Sequence, residues 1–215
     1  MEPIEKRLKS EKQVAVARLQ DRVMDSVLAI SQSVILHGGT AIWRCYGGKR
    51  FSFDLDLYAS SMQLRKLLNN LAWELEKRGM AMDYLSFTGH VISIHDEFAS
   101  IKLEITDKPN GKNSVQKEYV RADGSKMFIN TLSDEEFILE KIKAYVSRGY
   151  ARDLYDIYHL LAFSPKLSMA TKKKLRAFVK AILPPKDSKE LQELVYVGIA
   201  PKFDTMVKYI LGAAI

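Results

Sequence analysis

Leu36–Tyr58 reads LHGGTAIWRCYGGKRFSFDLDLY, and the fold turns on it. An apolar run, Ser33-Val-Ile-Leu36, leads into Gly38-Gly39-Thr40, and a second run, Phe53–Leu57, carries Asp54 and Asp56. The pattern predicts strand, glycine turn, short helix, strand. Side chains two apart on a strand share a face. Asp54 and Asp56 are therefore expected to point together, with Phe53, Leu55 and Leu57 turned into the core. Two carboxylates on one face repel unless a cation sits between them, and hard oxygen ligands suit Mg²⁺ or Mn²⁺. A glycine pair at the mouth of a helix lets backbone N–H groups approach a triphosphate. The same pair also serves as a plain tight turn.

Upstream, Leu8, Val16, Leu19, Val23, Val27 and Ile30 recur near helical spacing between Glu5 and Ser31, predicting one or two amphipathic helices. Val34–Leu36 is expected as a buried strand, Thr40–Tyr46 as a short helix ended by Gly47 and Gly48, and Arg50–Tyr58 as the aspartate strand. Ser60 and Ser61 can cap a helix carrying Leu64, Leu67, Leu68, Leu71 and Leu75, closed by Gly79. Three β-rich stretches follow, Met82–Phe87, His90–His95 and Ser100–Thr106, read as a meander. In the third, Lys102 and Glu104 share one face and Ile101, Leu103 and Ile105 the other, so Glu104 offers a third carboxylate from a neighbouring strand.

Residues 108–116, KPNGKNSVQ, read as a polar loop, and Tyr119–Thr131 as a hairpin around Ala-Asp-Gly-Ser. Ser133-Asp-Glu-Glu136 has the form of a capping box opening a helix with Phe137, Ile138, Ile142 and Val146, interrupted at Gly149. Helices are predicted over Ala151–Phe163 and near 168–183, 187–199 and 203–213, separated by Pro184-Pro185 and Pro201. The change of character near residue 132 predicts an α+β protein: a mixed α/β part over 1–132 and an all-helical part over 133–215.

With 215 residues, 47% hydrophobic and 27% charged, the chain can bury a sizeable core. One cysteine, Cys45, excludes a disulfide within the chain and fits a reducing compartment. No apolar run approaches the roughly 20 residues that span a bilayer. The charged start MEPIEKRLKSEK does not read as a signal peptide, and a cytoplasmic location is expected. The net charge of +7 favours an anionic partner, a nucleotide or a nucleic acid, although surface lysines also serve solubility.

Other phosphate-binding patterns fail. There is no G-x-G-x-x-G, and Gly48-Lys49 lacks the glycine offset and the Ser/Thr of a P-loop. His37, His90, His95 and His159 lack ligand spacing, and His37 alone adjoins the glycines. Tyr145, Tyr150, Tyr155 and Tyr158 are expected to pack between helices. Three carboxylates on adjacent strands beside an anion-binding turn would suit phosphoryl or nucleotidyl transfer with two metals about 4 Å apart. The competing reading is a solvated strand edge of alternating charge.

At this point a resemblance adds to the residues. H-GGTAI-WRCYGGK-R-F-S-F-D-L-D-L resembles the first motif of the AbiEii/AbiGii family, nucleotidyltransferases of the polymerase-β superfamily found as toxins in type IV toxin–antitoxin systems. Glu140–Asp156 resembles that family's E-K-x-x-A-x-x-x-R-x-x-x-R-D-x-x-D segment, through Glu140, Lys141, Ala144, Arg148, Arg152, Asp153 and Asp156. The two motifs stand in the family's order and together cover about residues 34–163.

The resemblance implies a polymerase-β-like mixed sheet with flanking helices, followed by a helical part that contributes to the active site. It implies transfer of NMP from an NTP to an RNA, tRNA-like, or protein hydroxyl. Asp54 and Asp56 would hold Mg²⁺ or Mn²⁺, with Glu104 the weaker candidate for a third ligand. Gly38, Gly39, Thr40, Arg50 and Ser52 would lie on the nucleotide phosphates, and Lys141 and Asp153 would reach the nucleotide or metal. An antitoxin protein is an implied partner. Against these roles stand ordinary ones: Arg50 pairing with an acidic neighbour such as Asp156, Ser52 bonding to backbone, and Asp153 and Asp156 in an ion-pair network with Arg148 and Arg152. Competing functions are an NTP-binding regulatory module without turnover and a small-molecule nucleotidyltransferase of the antibiotic-modifying kind.

Overall fold

The computed structural model describes residues 2–86, 90–107, 114–163 and 166–215. Phe87, expected to end the first meander strand, and 108–113 of the expected polar loop lie outside the described residues. Contacts divide the chain into two units, one of residues 1–45 and 51–132, the other of 46–50 and 133–215. Tyr46–Arg50 thus leaves the N-terminal part to which its place in the sequence assigned it.

The first unit is built on one seven-stranded sheet. After a 3-10 turn at Ile4–Arg7 come α1 (Glu11–Ile30), β1 (Ile35–His37), α2 (Gly38–Cys45), β2 (Leu55–Ala59) and α3 (Ser61–Glu76). Next follow β3 (Ala81–Ser86), β4 (Val91–His95), β5 (Ser100–Asp107), β6 (Ser114–Val120) and β7 (Lys126–Leu132). The spatial order is β3-β4-β5-β2-β1-β7-β6. β1 is antiparallel to β2 and parallel to β7, and β2 is parallel to β5, so the sheet is mixed. The expected meander is present as antiparallel β3, β4 and β5. Ser60 caps α3 through a reciprocal capping box with Gln63. Ser114–Gln116, expected in the loop, already belong to β6, because their backbone pairs with Asn130–Leu132 of β7.

The apolar alternation drives the core. Leu55, Leu57, Leu103 and Ile105 are fully buried, as are Val23 and Val27 of α1 and Leu67 and Leu71 of α3. Within this apolar core lies a buried polar cluster that the sequence patterns do not predict. Arg44 lies 4.0 Å over the Trp43 ring, donates to the Ala17 carbonyl at 2.9 Å and stands 3.4 Å from Asp21. Asp21 accepts from the Tyr119 hydroxyl (2.9 Å) and the Ala122 N–H (2.8 Å). Burial pushes the Asp21 carboxyl up, against the pull of Arg44. This cluster ties α1 to α2 and to the β6–β7 hairpin.

The second unit contains α4 (Asp134–Arg148), α5 (Ala151–Phe163), α6 (Met169–Ala181), α7 (Ser188–Leu194) and α8 (Phe203–Ala213). Ser133 caps α4 by accepting from the Glu136 N–H, and Gly149 ends it in the left-handed conformation, at φ 69°. Glu135 accepts from the hydroxyls of Ser168 and Thr171, at 2.7 Å each, fixing the start of α6. Tyr46–Arg50 is held here by its backbone. The Lys49 carbonyl accepts from the Tyr196 N–H (3.0 Å), the Gly48 carbonyl from the Tyr196 hydroxyl (3.0 Å), and Arg50 forms a β-bridge with Val195. The Tyr46 carbonyl lies 2.8 Å from His159 Nε2. Burial lowers the His159 pKa, which favours the neutral ring as donor to that carbonyl. Tyr145 packs edge-on to Phe178, and Tyr158 edge-on to Tyr209, as expected of tyrosines between helices, whereas Tyr150 is 37% exposed with Arg148 and Arg152 over its ring. Among the described residues, no helix is long and apolar enough to cross a membrane.

Candidate active site

In the first unit, the chain turns from β1 into α2 through Gly38, which adopts φ +72°. L-residues with a side chain rarely adopt this conformation. A Cβ at Gly38 would sit 1.9 Å from Asp56 Oδ2 and 2.8 Å from its carboxyl carbon. Gly38 is therefore required twice, for the turn and for the seat of the Asp56 carboxylate. Gly38→Ala is expected to displace that carboxylate and lower any activity that uses it by about 100-fold, since ångström-scale misplacement of a reacting group costs that much. Steady-state assay beside a thermal melt checks this, with assays run well below the lowered melting temperature that a Cβ at φ +72° entails.

Asp56 is half-buried on β2, opposite His37 of β1 and in register with Glu104 of the parallel β5. In-register neighbours project to the same face, so the sheet brings Asp56 and the exposed Glu104 together, as the alternation predicts. Asp54 is also exposed, but it precedes β2, which begins at Leu55 rather than at Arg50. This corrects the expectation for Phe53, which is 40% exposed while Leu55 and Leu57 are at 0%. Outside the ladder, strict alternation does not hold at 51–54.

Thr40, expected on the phosphates, is fully buried, and its hydroxyl donates to the Asp54 carbonyl at 2.5 Å. Its side chain is a positioning group for the Asp54 backbone. Gly39 is buried beside it in the first turn of α2. Ser52 is half-buried, and its carbonyl accepts from Gln20 Nε2 at 2.9 Å. The His37 and Tyr58 rings stack in parallel at 3.6 Å, a contact next to Asp56 that sequence spacing did not signal. Cys45 is a poor nucleophile, because burial pushes its thiol up to about 12.

In the second unit, charged side chains form an alternating chain. Arg50 donates to both Asp156 oxygens at 2.6 Å, Lys141 lies 2.7 Å from Asp156 and 3.3 Å from Asp153, and Arg148 donates to both Asp153 oxygens at 2.7 and 2.8 Å. Arg50, Lys141, Asp153 and Asp156 are buried. Burial pushes the Asp156 carboxyl up, but Arg50 and Lys141 outweigh it and hold the group below the usual carboxylate range. Arg50 thus makes the ordinary pairing with Asp156, through Nε and one terminal nitrogen. Lys141 and Asp153 are neighbours at 3.3 Å, while the shorter contacts run from Lys141 to Asp156 and from Arg148 to Asp153.

The residues present fit a hard divalent cation in one specific sense. Mg²⁺ is commonly held by one or two carboxylates, with substrate phosphates and waters completing its shell. Asp54, Asp56 and Glu104 supply oxygen donors only, and the glycine cradle leaves room for the Asp56 carboxylate. Among the described residues, no three His, Cys, Asp or Glu side chains already stand close enough to enclose a metal alone.

Comparison with known proteins agrees with this architecture. The chain resembles MenT4, a nucleotidyltransferase toxin from Mycobacterium tuberculosis H37Rv, with a TM-score of 0.64 at 16% identity over 96% of this chain and 84% of that one. It resembles JHP933 from Helicobacter pylori with a TM-score of 0.61 at 18% identity, over 96% and 92% of the two chains. At these identities the likeness is one of fold. No curated protein sequence matches the chain. Residues 22–203 match the family described as nucleotidyl transferase AbiEii toxin of type IV toxin–antitoxin systems. With both sequence motifs inside that span, the chain belongs to the AbiEii nucleotidyltransferase toxin family.

Proposed function

We propose that this protein transfers a nucleoside monophosphate from an NTP to a hydroxyl of an RNA acceptor, and that it acts as the toxin of a toxin–antitoxin pair. The observation that carries the reading is the seat of Asp56: a carboxylate fitted against the Cβ-less Gly38, in register with Glu104 and two residues from the exposed Asp54. Oxygen donors carried on one sheet face beside a glycine turn suit a hard divalent cation whose shell substrate phosphates and water complete. When bound by Asp54 and Asp56, with Glu104 the candidate third carboxylate, Mg²⁺ or Mn²⁺ supplies charge neutralisation at the phosphates and acidifies the acceptor hydroxyl.

The backbone at Gly38 and Gly39, opening α2, orients the triphosphate. Thr40 holds the Asp54 backbone, so the two aspartates keep their spacing during the reaction. The acceptor oxygen bonds to the α-phosphorus, the bond from that phosphorus to the β-phosphate oxygen breaks, and pyrophosphate leaves. The hydroxyl proton passes to a carboxylate or to water. Arg50 enters as a positioning residue through Asp156. Lys141 and Asp153 are assigned to the nucleotide on the strength of the family motif alone.

Purified protein, Mg²⁺, each α-labelled NTP and total tRNA should give labelled RNA, and chelation should abolish the label. Failure to bind any NTP with Mg²⁺ by calorimetry would overturn the reading. Binding without product against tRNA, other RNA or the protein itself would establish a regulatory module instead. Lys141→Met serves as a separate arm. Its removal leaves each aspartate bonded to an arginine, so the fold should survive, and loss of transfer would assign Lys141 to the nucleotide. Growth arrest on expression, relieved by Asp54→Ala, tests the toxin assignment.

A further inference from the structure

The positive charge of this protein is unevenly placed. Residues 46–50 and 133–215 hold 16 of the 33 lysines and arginines against 10 of the 26 acidic residues, so +6 of the net +7 belongs to the helical unit. Helix α6, MATKKKLRAFVKA, carries Lys172, Lys173, Lys174, Arg176 and Lys180 and no acidic residue.

Its core face is Thr171, Leu175 and Phe178, all buried. At about 100° per residue, Lys172, Lys173, Arg176 and Lys180 fall within an arc of roughly 100° turned away from that face. From Lys172 to Lys180 this stripe runs about 12 Å, at 1.5 Å per residue. Lys173 and Lys180 are exposed, and Lys172 is half-buried. None of the three forms an ion pair among the described residues. Arg176 is fixed by donating to the Ala214 carbonyl at 2.9 Å, which ties the stripe to the end of α8. Like charges four apart, as in Lys172/Arg176 and Arg176/Lys180, oppose the helix unless a counter-charge arrives from outside.

From this placement we infer that the outward face of α6 is a docking surface for the phosphate backbone of the RNA acceptor. The inference rests on the RNA reading above, since it names where that acceptor is held. A polyanionic strand suits the surface better than an acidic protein. Protein interfaces need a desolvated apolar or aromatic centre and are depleted of lysine. Met169 is the large apolar side chain that α6 places in this arc, at its first residue and with no aromatic beside it, and a lone methionine is no such centre, whereas phosphates are met by spaced point charges.

The test uses full-length protein and fluorescein-labelled tRNA, with anisotropy read from 50 to 200 mM salt. The triple variant Lys172→Ala, Lys173→Ala, Lys180→Ala should bind about tenfold or more weakly near 0.1 M salt. The slope of log affinity against log salt should fall by about 2, for three lost phosphate contacts. The corresponding Lys→Arg triple should restore both, and Mg²⁺–NTP binding by calorimetry should be unchanged in all three proteins. Unchanged tRNA affinity and salt slope in a folded alanine triple would overturn the inference, as would poly-glutamate binding that needs the lysines while tRNA binding does not. If wild type binds tRNA through α6 but labels no RNA, the surface stands and the transfer reading fails. If transfer to tRNA proceeds at wild-type rate and KM in the alanine triple, the transfer reading stands and the surface fails.

Discussion

Asp56→Asn is expected to reduce NMP transfer by about 1000-fold or more while leaving the melting temperature within a few degrees of wild type. The substitution keeps the shape of the side chain, so the amide still fits beneath Gly38, where any added carbon would collide. What it removes is a negative charge at the point where the cation and the phosphates would meet. Charge-stabilising groups of this kind are worth about 3–4 kcal/mol in the transition state, and a metal carboxylate is at the upper end. Relief of the repulsion between Asp56 and its register partner Glu104 offsets part of any folding cost. Single-turnover transfer with saturating NTP, beside a circular-dichroism melt, separates the effects. Retention of even a tenth of wild-type transfer would remove Asp56 from the chemistry.

Asp156→Ala should be the most destabilising single change in the helical unit. It leaves Arg50 buried without either of its carboxylate bonds and Lys141 with only its 3.3 Å contact to Asp153. Breaking a buried pair by removing one partner costs about 3–5 kcal/mol, because the remaining charge cannot be rehydrated in place. For a chain of this size that corresponds to a fall of roughly 10 °C in melting temperature. The pH dependence has a defined sign. Asp156 is held below its ordinary value in the folded protein, so its contribution is complete above the unfolded carboxylate pKa, near 4, and is lost as pH falls through the lower folded value. Melts from pH 7 down to pH 2.5 should show the gap between wild type and Asp156→Ala closing only below about pH 4. A gap independent of pH would mean that packing, and not the ion pair, sets the cost.

Much of the first unit was legible because its signals are local. The apolar run, the glycines and the alternation of Leu55, Asp56 and Leu57 mark strand, turn, helix and strand without help from distant residues. The period of two around Leu103 and Ile105 even set Glu104 on the same face as Asp56, and the parallel pairing of β2 with β5 completes that juxtaposition. Phe53 departs from the alternation because it lies outside the hydrogen-bonded ladder, which begins at Leu55.

The second unit was legible as helices and in part as a charge network, since the spacing of Arg148, Asp153 and Asp156 already offers ion pairs, while the place of Lys141 between the two aspartates was not. Arg50 finds its partner 106 positions away. The sequence offers Asp156 as one acidic neighbour among many, and only tertiary packing selects it. Thr40 shows the same limit at short range, since a hydroxyl beside a glycine pair suits a phosphate as well as it suits the Asp54 carbonyl. The Arg44–Asp21–Tyr119 cluster left no trace in the sequence, because its members lie on elements whose own patterns are satisfied without it.

The five residues Tyr46–Arg50 set a limit on how this protein can be divided. The backbone passes between the two units after Cys45, after Arg50 and after Leu132, so the glycine turn and the aspartates flank a segment that belongs to the other unit. Genetic fission after Leu132 would not release two self-sufficient halves. The first polypeptide would keep Arg50 without Asp156 and Tyr46 without His159, and the second would keep Asp156 without the two bonds that Arg50 donates to it. Reconstitution from separately expressed pieces should therefore succeed only by co-folding, and neither piece should serve alone as a surrogate for the unit it nominally contains.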